Sequence, residues 1–263
     1  MKTDFFAAKT APAIVVETSS FIVVYKPPRL HSAPLGPSGE NKNGDGASGS
    51  AGNGRTGGTS TAETLLDFVA AIYPEVRLVR GWKPVEGGLV HRLDYDTRGL
   101  LLAARSQAAM NALRGQQEQD RIVKEYTAVS ALAAETLPGF PPAPLPPGKS
   151  GAVESAFRPY GKGRKAVRPV LPSPALKTYR TEILSPEKSA GGNERIRVRI
   201  SRGYRHQIRC HLAWIGRPIV NDPLYGGVND GAVSEGCLAL CAEAISFTDP
   251  ETGRRLRYSL EEF

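Results

Sequence analysis

Residues 87–104 read Gly87-Gly88-Leu89-Val90-His91-Arg92-Leu93-Asp94-Tyr95-Asp96-Thr97-Arg98-Gly99-Leu100-Leu101-Leu102-Ala103-Ala104. Gly87 to Val90 opens a strand that runs into His91-Arg92-Leu93-Asp94. After a polar break, Gly99 to Ala104 reads as a buried strand. On the N-terminal side, Ala13–Glu17 and Phe21–Lys26 form two short strands stopped by Pro27-Pro28. Ser60-Thr61-Ala62-Glu63 offers a capping box for a helix through Tyr73, with Leu65, Leu66, Val69 and Ile72 as its buried stripe. On the C-terminal side, Ser106 caps a helix through Gln117, and Ile122–Leu132 is a strand around Tyr126. A helix from His206 to Ile215 is closed by Gly216, with Arg205 and Arg209 one turn apart on one face. Further strands follow, including Ala239–Phe247. Strands and helices mix without regular βαβ alternation, so the fold class is α+β, a mostly antiparallel mixed sheet with flanking helices.

The chain of 263 residues, 40% of them hydrophobic, is long enough to bury a sizeable core. Ordinary apolar content without a short period excludes collagen and coiled coil. We expect an N-terminal tail at 1–12 and a single domain at 13–263. A Gly/Ser-rich insertion at 35–60 is too poor in apolar surface to order itself. A proline-rich connector at 138–150 should be stiff and stand outside the core. The three cysteines (Cys210, Cys237 and Cys241) are too few for a disulfide framework and lack the partners of a zinc set. With neither a signal-peptide pattern nor a membrane-length apolar run, a cytoplasmic protein is expected, as a monomer without metal or membrane attachment.

Positive charge is concentrated. The chain carries a net +8, yet Gly151–Val220 alone holds 15 Lys plus Arg against 4 Asp plus Glu. A basic lobe on a near-neutral remainder marks a polyanion partner, and RNA or DNA fits best. Within it, Arg195-Ile196-Arg197-Val198-Arg199-Ile200 alternates strictly, so the apolar residues face a core and Arg195, Arg197 and Arg199 line the other face. A row of like charges repels itself unless phosphates or carboxylates neutralise it, and the guanidinium fork suits phosphate.

Asp94 ends an apolar strand beside Arg92, a position that in isolation is more often a turn or structural ion pair than a catalyst. Its context is distinctive. Gly88 to Leu102 resembles the catalytic signature of the RluA-type pseudouridine synthases. In that family's order, Val23-Val24-Tyr25-Lys26-Pro27-Pro28 with His31 resembles the N-terminal Lys-Pro motif, and Lys124-Glu125-Tyr126 the Lys-x-Tyr motif. Gly203-Tyr204-Arg205-His206-Gln207-Ile208-Arg209-Cys210-His211-Leu212 resembles the late His-Gln-Ile-Arg-x-His block, continued by Asp222-Pro223-Leu224-Tyr225-Gly226. Several blocks in one order make the likeness specific.

The resemblance implies isomerisation of uridine to pseudouridine in structured RNA, ribosomal or transfer, without metal or organic cofactor. It assigns the essential aspartate to Asp94, the basic partner to Arg209 and the active-site tyrosine to Tyr126. Arg92 would fill the gap left by the flipped nucleotide; Lys26 and Arg205 are further candidate RNA contacts. Asp94 would attack C1′ or remove the 2′ proton, and either role needs an ionised carboxylate. Burial alone neutralises a carboxylate, so a neighbouring cation is required. His91, His206 and His211 are read as structural, and the spacing of the latter two makes a poor metal pair. Arg98 stands where the family commonly has serine, Tyr204 where it has arginine, Arg29 where it has glycine and Cys241 where histidine is frequent. Two rival readings remain: a catalytically silent RNA-binding or assembly factor on the same fold, and, more weakly, a glycosidase using Asp94 with a second carboxylate.

Overall fold

The structure, a computed structural model, describes residues 9–35, 64–132, 137–146, 149–184, 186–188, 192–231 and 233–262. In chain order the elements are β1 (Ala13–Glu17), β2 (Phe21–Lys26), α1 (Leu65–Ile72), β3 (Arg98–Ala104), α2 (Gln107–Glu118), β4 (Val123–Ser130) and β5 (Gly151–Tyr160). They continue with β6 (Ala166–Val170), β7 (Tyr179–Ile183), β8 (Glu187–Lys188), β9 (Glu194–Ile200), α3 (Gln207–Trp214), β10 (Leu240–Thr248) and β11 (Arg255–Ser259). The strands form one sheet in the order β1-β2-β3-β10-β4-β9-β7-β5-β6, with β11 beside β10 and β8 beside β9. Among the described residues, neighbouring strands run antiparallel except β3 and β10, which run parallel. The fold is α+β with a mostly antiparallel mixed sheet, as expected.

The apolar patterns report how many faces of the sheet are covered. In β2 and β3, Ile22, Val24, Leu101 and Ala103 pack in one cluster with Leu65, Leu66 and Val69 of α1 and Leu212 and Trp214 of α3. Their alternates, Phe21, Val23, Leu100 and Leu102, pack in a second with Met110 and Leu113 of α2. Coverage on both faces is why these strands read as continuous apolar runs. In β9 only Ile196, Val198 and Ile200 enter the core, so the strand alternates. Gly99 joins β3 to β10 at close range. Its φ of +125° and a would-be Cβ 2.3 Å from the Ala242 carbonyl oxygen leave no room for a side chain.

Several expectations need correction. The N-cap of α1 is Thr64, whose hydroxyl accepts from the Asp67 backbone N–H at 3.2 Å; the anticipated capping box at 60–63 lies outside the described residues. The buried stripe of α1 continues from Val69 to Tyr73, which leaves Ile72 half exposed. Ser106 does cap α2, accepting from the Ala109 N–H at 3.1 Å. Helix α3 begins one residue late, because His206 adopts a left-handed φ of 56°. Arg205 therefore precedes the helix and does not stack over Arg209. The proline-rich connector is docked against the domain, with Phe140 and Leu145 packed on the core and the Trp214 indole donating to the Pro141 carbonyl at 2.8 Å. The insertion at 35–60, apart from Leu35, lies outside the described residues.

Candidate active site

Asp94 sits in the loop between the residue 89–90 segment and β3, closed by a bond from the Thr97 N–H to its own carbonyl at 3.1 Å. The N-terminal segment grips this loop on both sides of the carboxylate. The Ser32 hydroxyl donates to the Leu93 carbonyl at 2.9 Å and accepts from the Leu93 N–H at 3.1 Å. Lys26 donates to the carbonyls of Tyr95, Pro27 and Leu30 at 3.0, 2.9 and 2.8 Å. Burial draws the Lys26 amine down to about 7, opposed by the charges of Asp94 and Asp96. Only its ammonium form has a proton for each of the three carbonyls. Lys26 is wholly buried, so the expected RNA contact is corrected: this side chain positions the loop from beneath.

The cation for Asp94 comes from α3. Arg209 Nη1 lies 3.4 Å from Asp94 Oδ2, and its remaining fork is held by Asp222, with Nε to Oδ2 at 2.7 Å and Nη2 to Oδ1 at 2.8 Å. Arg209 is almost fully buried and its ion-pair partner Asp222 fully so. Burial opposes the guanidinium charge, but the bonds and charge of Asp222, and then Asp94, outweigh it and push its pKa above the usual range. The two-point grip of Asp222 fixes the guanidinium plane, which leaves one nitrogen aimed at Asp94.

Tyr126, on β4 opposite Val198 of β9, lies near the same carboxylate. Burial, followed by the charge of Asp94, pushes its phenol above the ordinary range, so the hydroxyl keeps its proton at neutral pH. The His206 imidazole also faces the carboxylate, with Nε2 3.9 Å from Asp94 Oδ2 and Nδ1 3.3 Å from the Tyr225 hydroxyl. Burial lowers its pKa against the pull of Asp94, which favours the neutral ring.

The structure thus brings Arg209 into contact with Asp94 and sets Tyr126 near enough to feel the same carboxylate, at one site. Arg92 stands half exposed at its rim, 3.3 Å from Glu86 Oε1. Arg205 reaches the β5–β6 hairpin, donating to the Arg164 carbonyl at 3.0 Å. Arg195, Arg197 and Arg199 are elsewhere: Tyr126 and Val198 share a sheet face, so the arginines flanking Val198 project from the opposite one. There Arg199 meets Glu125 at 3.2 Å and Glu182 at 3.8 Å, so for this arginine carboxylates within the chain supply the neutralisation. Sequence reasoning missed Asp222, Ser32 and the approach of His206 to Asp94. Asp222 lay in a quoted motif block, but no spacing pairs it with Arg209. The His91 Nε2 accepts from the Leu102 N–H of β3 at 3.3 Å.

The fold is that of solved pseudouridylate synthases. The solved structure of human RNA pseudouridylate synthase domain containing 1 superposes with a TM-score of 0.58 at 18% identity, covering 95% of this chain and 82% of that one. Human RNA pseudouridylate synthase domain containing 4 gives 0.57 at 16%, covering 94% and 87%. Residues 20–214 match the RNA pseudouridylate synthase family, and the chain belongs to it. An uncharacterized RNA pseudouridine synthase of Chloroflexus aurantiacus is 36% identical over 165 residues, 62% of this chain and 45% of the relative. The ribosomal large subunit pseudouridine synthase D of Escherichia coli K12 is 33% identical over 164 residues, 62% of this chain and 44% of the relative. The chain spans about half the length of these curated relatives. Among the described residues, no group of His, Cys, Asp and Glu could hold a metal ion, and no helix is long and apolar enough to cross a membrane.

Proposed function

We propose that this protein isomerises uridine to pseudouridine in ribosomal RNA, with Asp94 as the essential carboxylate. The observation that carries the reading is the Asp222–Arg209–Asp94 chain facing Tyr126. Likeness to relatives named for the large ribosomal subunit favours ribosomal over transfer RNA. Arg209 holds its positive charge beside Asp94 while the carboxylate acts at the sugar, the N1–C1′ bond breaks, and the freed base rotates to rejoin through C5. Tyr126 offers a ring face to hold that base during rotation, and once the C1′–C5 bond has formed its hydroxyl oxygen assists loss of the C5 proton to solvent while N1 gains one. Arg92 at the rim is placed to fill the space of the extruded nucleotide. A complete carboxylate, cation and aromatic set supports an enzyme over a silent binding factor, which would need none of the three aligned.

The test is pseudouridine mapping of large-subunit ribosomal RNA with and without the gene, complemented by wild type or Asp94→Asn. Restoration by wild type alone is expected. Modification restored equally by Asp94→Asn would remove Asp94 from the chemistry.

A further inference from the structure

Beside the cleft, the segment that enters α3 carries an aromatic platform that the chemistry at Asp94 does not use. The Tyr204 ring lies flat on Phe157, centroids 4.8 Å apart at 8°, and Tyr179 leans against both at 5.0 and 5.8 Å. Tyr204 nevertheless stays 37% exposed. Basic groups lie near the platform. The Lys177 ammonium sits 5.6 Å from the Tyr179 ring centroid, and Arg205 ties the platform to the hairpin where Lys162, Arg164 and Lys165 are all exposed. Its position is constrained from both sides. The Tyr204 N–H donates to the Gln207 side-chain oxygen at 3.0 Å, and two residues on, His206 approaches Asp94. Two residues span at most about 7 Å of backbone, roughly the reach of one nucleotide.

A partly exposed ring backed by two aromatics, beside a basic hairpin, suits a nucleobase, whose π face stacks on aromatics irrespective of sequence. We propose that Tyr204, supported by Phe157 and Tyr179, is a stacking subsite for an unpaired base next to the target uridine. The subsite rests on the RNA-modifying reading above. The family commonly carries arginine at this position, so the subsite belongs to this chain's own recognition of RNA and not to the shared chemistry.

The experiment is single-turnover pseudouridine formation on an unmodified large-subunit ribosomal RNA transcript. Tyr204→Leu keeps bulk but loses the π face. It should raise the half-saturating protein concentration by about 5- to 100-fold, the range of aromatic–base stacking, with the maximal rate within about threefold. Tyr204→Phe should hold affinity within about twofold. The salt dependence of binding should not change, because stacking releases no counterions. Half-saturation of Tyr204→Leu equal to wild type overturns the subsite and leaves the function standing; a platform serving a protein partner would give that result. Should Tyr204→Leu fail to fold, Tyr204→Trp decides: its wider face should bind as well or better, and weaker binding overturns the proposal. Wild-type protein that neither binds nor modifies the transcript removes the functional reading itself, and the subsite with it.

Discussion

Arg209 is useful to Asp94 only because Asp222 holds the rest of its guanidinium. With both Asp222 oxygens engaged at 2.7 and 2.8 Å, the fork cannot rotate and one nitrogen stays near Asp94. Asp222→Asn would leave Arg209 buried with half its compensation gone. Breaking such a pair costs about 3–5 kcal/mol, and loosening the aim at Asp94 should lower the turnover rate by about a hundredfold. Chemical unfolding and single-turnover kinetics of this variant check both. A quieter departure sits at Arg29, where the family's glycine is replaced and yet φ remains at 60°. The backbone has kept the left-handed turn and the side chain bears the strain. Arg29→Gly should therefore raise stability by about 1 kcal/mol, read as a higher urea midpoint. Arg98 and Cys241, two further departures, face each other in the β3–β10 register. The larger residue at one position meets the smaller at the other, and the Arg98 guanidinium reaches Ser234 Oγ at 2.5 Å.

At the scale of elements, α3 is the part whose placement matters most, since it delivers Arg209 while His206 and Tyr204 flank its start. Polar side chains set its seat on β5 and β7. The His211 ring is shared between Ser155 at 2.9 Å and Thr181 at 2.8 Å, and Gln207 donates to the Arg180 carbonyl at 3.0 Å. Burial draws His211 down to about 3 from an ordinary 6.5. The unfolded chain therefore binds a proton below about pH 6.5 that the folded ring refuses until near pH 3. Stability contributed by the neutral ring is complete above 6.5 and is lost as pH falls through that window, by up to about 5 kcal/mol at the bottom. Denaturant unfolding at pH 7 and pH 5 should show this loss, and His211→Phe should flatten it.

Across the whole molecule, the basic lobe divides into two surfaces. One surrounds the cleft through Arg92, Arg205 and the β5–β6 hairpin. The other is an alternating ladder on the far sheet face, in which Arg180 meets Glu154 and Glu182, Arg199 meets Glu182 and Glu125, and Arg257 meets Glu125. Because the Arg199 charge is neutralised inside the protein, Arg199→Ala should leave the salt slope of RNA affinity unchanged and lower stability slightly. A slope reduced by about one unit would put RNA on the far face as well. Net charge by segment could not separate these surfaces, because the pairing depends on which sheet face each side chain takes and which strands lie side by side.

What the amino-acid order determined by itself was local: the strand alternation of Arg195–Ile200, the buried run Gly99–Ala104, the Ser106 cap and the motif order around Asp94. Each depends on neighbours within one element, where a period of two or 3.6 residues is set by backbone geometry. Which side chains meet was decided only when the sheet closed. Arg209 reaches Asp94 across 115 positions and Lys26 reaches Tyr95 across 69. No periodicity spans such distances, so the placement of Lys26 beneath the Asp94 loop, and of the arginine row behind the sheet, belonged to the tertiary structure alone.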